Sequence, residues 1–282
     1  NSSFRAMIAY NLEPEIYSIT GLQAFLKIAQ HQNISHYPIH IKLDTGMHRL
    51  GFEPHLISEL CSLLKNNNFV KVKSVFSHLS ASDDLEFDDF TKLQFQRFDA
   101  MYSELEKVLH SKLIRHILNT SGIFNYAEKQ MEMVRLGIGL YGIGNSEQEL
   151  KVLENVSTLK TIISQIREVS AEESIGYSRR FRVTQKMKVA TIPIGYADGI
   201  RRAWGNEKGF VTINNQKATI LGSICMDMMM VDVTKISCKT GDEVIVFGKN
   251  PKVTEMASVI GTIPYEILTG ISQRVKRIFY KN

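Results

Sequence analysis

The first half of the chain alternates short apolar runs with amphipathic helical patterns. The apolar runs predict four β-strands, at residues 37–43, 70–78, 114–119 and 132–142. Helical periodicity predicts helices at about residues 14–31, 54–66, 83–110 and 121–130. Such alternation of strands and helices is typical of βα units that build a parallel sheet.

The pattern changes after the segment "NSEQEL", which ends at Leu150. Short strand-like runs then follow one another, joined by turns such as "INNQ" and "KTGD". This pattern predicts a compact, mainly β second domain. We place the boundary near residue 150, which gives domains of residues 1–150 and 151–282.

The first domain is short for a complete (β/α)8 barrel. That fold takes about 250 residues, so about 150 residues supply roughly five of its units. Either the sheet is open, or further units lie upstream of Asn1, and the absence of an initiator methionine favours the second explanation. The predicted fold class is therefore α/β, with a (β/α)8 TIM-type barrel that is incomplete at the N-terminus, followed by a mainly β C-terminal domain.

Polar side chains lie on strands whose interior face is normally apolar. In "PIHIKLD" the residues His40, Lys42 and Asp44 share one face, because side chains alternate along a strand. The other strands carry polar residues toward their carboxyl ends, namely His78, His116, Asn119 and Arg135. Barrel active sites form at those ends. Each residue alone also has a structural interpretation, as a core histidine or an ion-pair partner, but together they predict a site.

Two glycine-containing stretches allow more than one interpretation. In "RLGIGLYGIG" the glycines permit tight packing, or let backbone N–H groups approach a phosphate. The stretch "LNTSG" places Thr120 and Ser121 at the start of a predicted helix, which is a natural anion site. The residues alone leave both interpretations open.

Composition and charge exclude several classes of protein. No run approaches the roughly 18 apolar residues of a membrane span, and the start lacks a signal-peptide pattern. The 3 cysteines have no metal-ligand spacing, so we expect a reducing, cytoplasmic compartment and no metal. A net charge of +5, with only the tail "QRVKRIFYKN" locally basic, does not indicate nucleic-acid binding. A small anionic ligand is compatible with this balance.

Nine segments occur in an order that is typical of one enzyme family. They are "KLDTGMHRLGF", "SHLSASDD", "HILNTSG", "MVRLGIGLYG", "GYSRRF", "TIPIGYADG", "LGSICMDMMMVDV", "IPYEIL" and "ISQRVKRIFY". On these segments the chain resembles alanine racemase over nearly its whole length. The resemblance implies a pyridoxal 5'-phosphate (PLP) enzyme with an N-terminal (β/α)8 barrel and a C-terminal β domain. It also implies a homodimer with shared active sites, which interconverts L-alanine and D-alanine for peptidoglycan synthesis by a two-base mechanism.

The resemblance implies catalytic roles for Tyr177, His78 and Arg135. Tyr177 matches the base for the L-substrate face, which one subunit contributes to its partner's site. A free phenol has a pKa of about 10, so such a base needs cationic or hydrogen-bonding neighbours, which His78 and Arg135 would supply. Arg135 also matches the arginine that faces the PLP ring nitrogen. Because a guanidinium keeps its proton, the ring nitrogen stays unprotonated, which should discourage transamination.

The same motifs imply the binding residues. The implied cofactor-binding residues are His78, His116, Asn119, Thr120, Arg135, Gly137, Ile138 and Tyr265. The implied substrate-binding residues are Arg49, Lys42, Met226, Asp227 and Tyr196, with Arg274 further out in the entry channel. Lys42 matches a lysine that is carbamylated in some members. A carbamate would explain a lysine that faces a barrel interior, and we state it as a hypothesis.

The chain departs from the family pattern in two places. The family's "KANAYGHG"-like segment, with the lysine that forms the PLP aldimine, has no counterpart in the sequence. We therefore expect the aldimine lysine to be absent, and the chain to be the C-terminal portion of a longer racemase that is inactive alone. In "YSRRF", paired arginines replace the small or hydroxyl residues that are common after the tyrosine. This difference would alter the surroundings of Tyr177.

Two other functions remain open at the level of sequence. One is another barrel-type PLP enzyme, such as a broad-range racemase or an amino-acid decarboxylase. The other is a non-catalytic module for dimerisation. Activity toward a panel of amino acids distinguishes another PLP enzyme from an alanine racemase. Recovery of PLP absorbance when the upstream segment is restored distinguishes a racemase from a non-catalytic module.

Overall fold

A computed structural model describes residues 2–280 of the chain. The chain divides into two compact units. The first contains the residues up to Leu140 together with Gly144–Leu153, and the second contains Tyr141–Ile143 and the residues from Glu154 onward. Lys281, in the predicted basic tail, lies outside the described residues.

The first unit is built on a parallel sheet with the strand order β1-β2-β3-β4. Its strands are β1 (Glu15–Ile16), β2 (Tyr37–Lys42), β3 (Val70–Phe76) and β4 (Ile114–His116). Its α-helices are α1 (Ser2–Ala9), α2 (Ile19–His31), α3 (Ile57–Leu64), α4 (Asp88–Leu109), α5 (Thr120–Asn125) and α6 (Glu147–Val152). Shorter 3₁₀ helices occupy Pro54–Leu56, Leu85–Phe87, Ala127–Lys129 and Ile138–Tyr141.

One face of this sheet supplies the apolar core of the unit. Ile39 and Ile41 of β2 are fully buried and belong to the same core as Phe25 of α2 and Phe98 of α4. The alternate positions of β2 hold polar side chains on the other face, as the period of a strand requires. Strand β2 therefore has one apolar face and one polar face, as the sequence predicted.

The predicted strand at residues 132–142 is wrong. Residues 132–137 are irregular, and Ile138–Tyr141 is a 3₁₀ helix. The segment still runs beside the end of β4, since the Arg135 backbone N–H donates to the Leu118 carbonyl at 3.0 Å. Glycines weaken strand formation, and a Cβ at Gly139 would lie 2.8 Å from Leu136 Cδ1. Arg135 therefore reaches the site from a loop rather than from a strand.

The predicted helix at residues 14–31 begins later than expected. It starts at Ile19, where the Ser18 hydroxyl accepts a hydrogen bond from the Gly21 N–H at 3.1 Å. The preceding Glu15–Ile16 forms β1, which pairs with β2. A strand of 2 residues has no readable period, so the sequence pattern did not separate it from the helix.

The second unit is mainly β, which confirms the prediction for this part of the chain. Its strands are β5 (Leu159–Ile162), β6 (Gln165–Val169), β7 (Ser174–Ile175), β8 (Phe181–Arg182), β9 (Met187–Ile192), β10 (Phe210–Ile213), β11 (Gln216–Leu221), β12 (Met229–Asp232) and β13 (Glu243–Phe247). Its helices are α7 (Val253–Val259) and α8 (Pro264–Gly270), with 3₁₀ helices at Tyr177–Arg179, Tyr196–Asp198 and Arg202–Trp204.

An antiparallel sheet with the order β5-β13-β10-β11-β12-β9-β6 organises this unit, beside the short pair β7-β8. The "INNQ" turn joins β10 to β11, and both Asn214 and Asn215 have positive φ. Two consecutive left-handed residues are typical of a type I′ hairpin turn, which asparagine tolerates well. The turn predicted from the sequence is thus explained by its residues.

The part of the chain that the structure describes lacks two kinds of feature. None of its helices is long and apolar enough to cross a bilayer. No group of 3 or more His, Cys, Asp or Glu side chains within residues 2–280 is arranged to hold a metal ion.

Candidate active site

Three cationic side chains surround His78, which follows β3 in the first unit. Burial, together with the charges of Arg135, Arg49 and Lys42, lowers the pKa of His78 to about 4. His78 is therefore a neutral imidazole at physiological pH. The structure thus brings together four of the residues that the sequence assigned to one site.

Arg135 is the most connected of these residues. Its guanidinium donates to His116 Nδ1 at 2.5 Å, to His78 Nδ1 at 3.3 Å and to the Ser77 carbonyl at 2.5 Å. Burial lowers the pKa of Arg135 to about 10, so it still carries its charge at neutral pH. Because a guanidinium only donates, both histidines must accept at Nδ1 and carry their proton at Nε2. Burial lowers the pKa of His116 to about 4 as well.

Phe76 lies at the centre of this cluster, and the sequence analysis missed it. Its ring stacks on His116 with centroids 4.8 Å apart and planes 8° apart. Lys42 Nζ lies 5.6 Å from the ring centroid, and the Arg135 guanidinium carbon lies 5.2 Å from it. Cation–π attraction stabilises these positions. The sequence alone gave no signal for Phe76, because its contact with the cluster follows from the register that places residue 76 opposite Lys42.

Lys42 ends β2 with its side chain largely buried. Its Nζ lies 3.0 Å from Glu15 Oε1, so the charge is paired with β1. Asp44 is engaged elsewhere, because it accepts from the backbone N–H groups of Gly46 and His48 at 2.9 and 3.1 Å. Carbamylation of Lys42 stays a prediction, which the intact mass of the protein would test.

The loop that follows β2 folds back, so that Phe52 forms backbone hydrogen bonds with the end of β2 and with Asp44. The Phe52 N–H donates to the Lys42 carbonyl at 2.9 Å, and the Asp44 N–H donates to the Phe52 carbonyl at 2.9 Å. Gly51 has a φ of +134°, and a Cβ there would lie 2.5 Å from the Asp44 nitrogen. Only glycine allows this closure. The loop carries Arg49, which is exposed. Arg49 lies close enough to His78 for its positive charge to lower the pKa of that histidine.

Thr120, at the start of α5, ties down the loop that follows Arg135. Its Oγ1 accepts from the N–H groups of Gly137 and Gly139 at 3.0 and 3.2 Å. Both acceptor positions of the hydroxyl are thereby used, which leaves its O–H as a donor. The neighbouring Ile138 is buried.

Replacing Thr120 by valine is expected to lower the free energy of unfolding by about 2 kcal/mol. Valine keeps the volume but removes the acceptor for the buried Gly139 N–H, whereas the exposed Gly137 can bond to water. Urea unfolding measures the loss, and Thr120→Ser, which keeps the hydroxyl, should retain most of the stability. Equal losses for both variants would contradict this assignment.

Asn119 has a structural role that was not expected from the sequence. It is the N-cap of α5, where its Oδ1 accepts from the Gly122 N–H at 2.9 Å and from the Ser82 hydroxyl at 2.7 Å. The predicted position on a strand is wrong, because β4 ends at His116. A role at the cofactor ring stays a prediction for this residue.

The two neutral histidines predict how stability depends on pH. A histidine in an unfolded chain has a pKa of about 6.5, whereas His78 and His116 in the folded chain have pKa values of about 4. Between these values the unfolded chain binds more protons, so the free energy of unfolding falls as the pH falls from about 6.5 to about 4. Each histidine contributes at most about 3 kcal/mol to this loss.

Urea unfolding at several pH values tests this dependence. His116→Gln is expected to be less sensitive to pH in this window than the unmodified protein. The exposed His55→Gln serves as the matched control and should follow the unmodified protein. An identical pH dependence of His116→Gln and His55→Gln would contradict the expected low pKa of His116.

In the second unit, Tyr177 is held outward by an unusual backbone. Gly176, Ser178 and Arg179 have φ values of +77°, +59° and +50°, in the left-handed region. For residues with a Cβ this conformation costs of order 1–3 kcal/mol and is common at functional sites. The Tyr177 side chain is 70% exposed. It lines a groove of about 840 Å³ together with Cys225, Met228 and Met230.

In this unit the motifs "IGYADG" and "ICMD" are joined by backbone hydrogen bonds. The N–H groups of Tyr196 and Ala197 donate to the carbonyls of Cys225 and Met226, both at 3.0 Å. A Cβ at Gly195 would lie 2.3 Å from the Met226 carbonyl oxygen, so glycine is required there. The structure thereby places Tyr196 beside Met226.

Arg274 ties the same two segments together by charge. It donates to Asp198 Oδ1 at 2.7 Å and to Asp227 Oδ1 at 2.6 Å. Asp198 in turn accepts from the Gly195 N–H at 2.9 Å. The Arg274 side chain therefore bridges the predicted substrate residue Asp227 to the turn that carries Tyr196. Tyr265 lies on α8 of the same unit and is 45% exposed.

The fold and the site define a class of protein, an N-terminal α/β barrel domain with a basic rim and a mainly β C-terminal domain. Family models agree: the alanine racemase N-terminal domain matches residues 1–145, and the alanine racemase C-terminal domain matches residues 156–279. The chain belongs to the alanine racemase family, a family of isomerases. Because the N-terminal model matches from residue 1, the expected absence of the N-terminal part is not confirmed.

Individual relatives support the same conclusion. The chain is 37% identical to alanine racemase 1 of Clostridium acetobutylicum, over 98% of this chain and 73% of that protein. The solved alanine racemase of Clostridium difficile 630 matches with a TM-score of 0.89 and 32% identity, over 97% of this chain and 72% of that one. The alanine racemase of Bartonella henselae, solved with covalently bound pyridoxal phosphate, matches with a TM-score of 0.86 and 28% identity, over 98% and 75%.

Proposed function

We propose that this chain acts in a PLP-dependent alanine racemase, which interconverts L-alanine and D-alanine for peptidoglycan synthesis. Membership of the family and the names of the relatives support the reaction. The observation that carries the proposal is the cationic cluster of Arg135, Arg49 and Lys42 around the neutral His78. We also propose a cytoplasmic homodimer, as the family resemblance implies.

The residues of the first unit fit a phosphorylated pyridine ring. Three cationic groups provide a favourable potential for an anion, and the Thr120 O–H remains available as a donor. Phe76 and His116 form a stacked, flat surface beside the Arg135 guanidinium. PLP binding at His78, His116, Asn119, Thr120, Arg135, Gly137, Ile138 and Tyr265 stays part of the proposal.

PLP, when bound, supplies an electron sink for the negative charge that develops at the substrate Cα. Arg135 would face the ring nitrogen and keep it unprotonated, since its pKa of about 10 lies well above neutral pH. His78 accepts from Arg135 at Nδ1, so its Nε2–H is the group that can orient a catalytic phenol. Arg49 would bind the substrate carboxylate, supported by Lys42.

We propose that Tyr177 takes the proton from Cα of L-alanine, within an active site that a partner subunit shares. The Tyr177 side chain is 70% exposed, which suits a residue that would act in the active site of a partner subunit. Tyr196, Met226 and Asp227 would border the substrate, and the Arg274 bridge would fix their positions. We assign no lysine of the chain to the covalent bond with PLP, because the sequence has no counterpart of the family's lysine segment and Lys42 belongs to a different motif.

The test is an assay of alanine racemisation by the protein purified from the cells that naturally produce it. PLP is added to the assay. We expect D-alanine from L-alanine, and the visible absorbance band of bound PLP. Activity only on ornithine or diaminopimelate would replace the alanine assignment by another PLP enzyme. Stable dimers without PLP binding or turnover would favour a non-catalytic module.

A further inference from the structure

A line of hydrogen bonds crosses the parallel sheet and ends at Arg135. Glu13 Oε2 lies 2.7 Å from His40 Nε2, and His40 Nδ1 lies 2.6 Å from the Ser74 hydroxyl oxygen. The same oxygen lies 3.2 Å from His116 Nε2. His116 Nδ1 then accepts from Arg135 at 2.5 Å. The line connects a solvent-accessible carboxylate to the cation that bonds both site histidines.

The donors and acceptors of this line fit one arrangement. Arg135 only donates, so His116 accepts at Nδ1 and has its proton at Nε2. The His116 Nε2–H then donates to Ser74, whose own O–H donates to His40 Nδ1. His40 in turn has its proton at Nε2 and donates it to Glu13. In this arrangement every polar hydrogen along the line has an acceptor, and each histidine donates from Nε2 and accepts at Nδ1.

An irregularity in the register of the sheet brings His40 beside Ser74. The pairing of β2 with β3 shifts between Ile39 and His40, so His40 lies opposite Ser74 rather than Lys73. Ser74 is only 1% exposed, and among the described residues His40 and His116 are its hydroxyl's recorded hydrogen-bond partners. A buried hydroxyl is costly unless it is satisfied, so Ser74 holds both imidazoles in this orientation.

Lys73 keeps the outer end of the line charged. Its Nζ donates to Glu13 at 2.8 and 3.0 Å, and this hydrogen bond holds the pKa of Glu13 below its usual range. Glu13 is therefore an ionised acceptor at neutral pH. A charged acceptor polarises a hydrogen-bonded chain more strongly than a neutral one.

We propose that Glu13, His40 and Ser74 form a positioning relay, which acts together with Arg135 to keep the proton of His116 on Nε2 and so holds the Arg135 guanidinium against the cofactor ring. The benefit to catalysis rests on the proposed function, whereas the relay itself does not. A His116 with its proton on Nδ1 would present a hydrogen to Arg135 instead of a lone pair. The site would then lose the shortest hydrogen bond that Arg135 makes to an imidazole.

Selective ¹⁵N labelling of the histidine rings in the PLP-loaded protein tests the relay by NMR. In the unmodified protein, His40 and His116 are both expected to show a protonated Nε2 and an unprotonated Nδ1. Glu13→Leu, at the accessible end, is expected to shift His40 and His116 together toward a mixture of the two proton positions. Ser74→Ala should produce the mixture at His116, and adding Glu13→Leu to it should change His116 no further.

Matched controls separate the relay from general disturbance. Glu53→Leu breaks an exposed pair with His55, and Ser77→Ala removes another buried hydroxyl of the same strand end. Both controls should leave His116 unchanged. A protonated Nδ1 at His116 in the unmodified protein would overturn the proposal, as would a Glu13→Leu effect that stops at His40.

Turnover gives a second readout. Glu13→Leu is expected to lower kcat for alanine by about tenfold, the value of one charge-assisted hydrogen bond, whereas Glu53→Leu is not. If the proposed function fails, turnover is absent in every variant while the NMR result still decides whether the relay exists. If Ser74→Ala does not fold, Glu13→Leu alone decides the outcome.

Discussion

Replacing Arg135 by leucine is expected to lower alanine turnover by about 10²–10³-fold. The guanidinium is the group that would face the cofactor ring, and leucine provides neither its charge nor its hydrogen bonds. The pKa values of His78 and His116 should rise, because Arg135 is the main charge that lowers each of them. Steady-state kinetics and NMR titration of the histidine rings measure the two effects.

The effect on folding should be smaller than the effect on catalysis. Leucine leaves the Ser77 carbonyl and His116 Nδ1 without a donor, but it also removes the cost of burying a charge. We expect a change in the free energy of unfolding of about 1–2 kcal/mol. Arg115→Leu is the control, since Arg115 forms a surface ion pair with Glu132 at 2.7 Å.

A lysine at residue 135 distinguishes charge from geometry. Arg135→Lys keeps the positive charge, so the histidine pKa values should remain low, but it loses the planar fork that bonds several groups at once. Turnover should therefore stay low. Full turnover in Arg135→Lys would show that charge alone is sufficient, and unchanged turnover in Arg135→Leu would contradict the role at the ring.

The hydrophobic pattern predicted where the central strands of the first unit begin, but it placed their ends up to three residues too late. The runs at 37–43, 70–78 and 114–119 correspond to β2, β3 and β4, because alternation and β-branched residues are strong signals in a half-buried strand. The pattern failed where a local signal was missing or misleading. β1 has 2 residues, and the apolar run at 132–142 contains glycines that the backbone needs for close contacts.

The site was predictable in part for the same reason. Strand period placed His40 and Lys42 on one face, and parallel topology brought the carboxyl ends of the strands together. The sequence could not show that Arg135 comes from a loop, or that Asn119 caps a helix, because both depend on backbone geometry. It also missed Phe76 and Ser74, whose importance follows from the neighbours that the register gives them.

The two units divide the predicted chemistry between them. Arg135, His78, Lys42 and Arg49 lie in the first unit, which holds the groups that suit an anionic ring. Tyr177, Tyr196, Met226 and Asp227 lie in the second, which holds the predicted base and substrate contacts. Each unit is therefore incomplete by itself for the proposed reaction. Variants of His116 or Thr120 in the first unit should affect PLP binding, and a variant of Tyr177 in the second should affect proton transfer.

Replacing Tyr177 by phenylalanine is expected to reduce racemisation by about 10³-fold or more, which is within the range for loss of a general base. The phenol oxygen is the only atom removed, and the side chain is 70% exposed, so folding should not change. PLP absorbance should also be retained. The reduction should appear in both directions, because the proton must leave or arrive on the Tyr177 face in each.

Hydrogen exchange with solvent separates a lost base from a damaged site. With Tyr177→Phe, the base on the opposite face can still remove and return the Cα proton of D-alanine, so in D₂O the D-alanine should gain deuterium without inversion. L-alanine should gain almost none. Tyr280→Phe, in the exposed C-terminal segment, is the matched control and should racemise normally. Equal loss of exchange in both enantiomers would contradict the assignment of Tyr177 to the L-face, since a base on one face cannot control proton removal on the other.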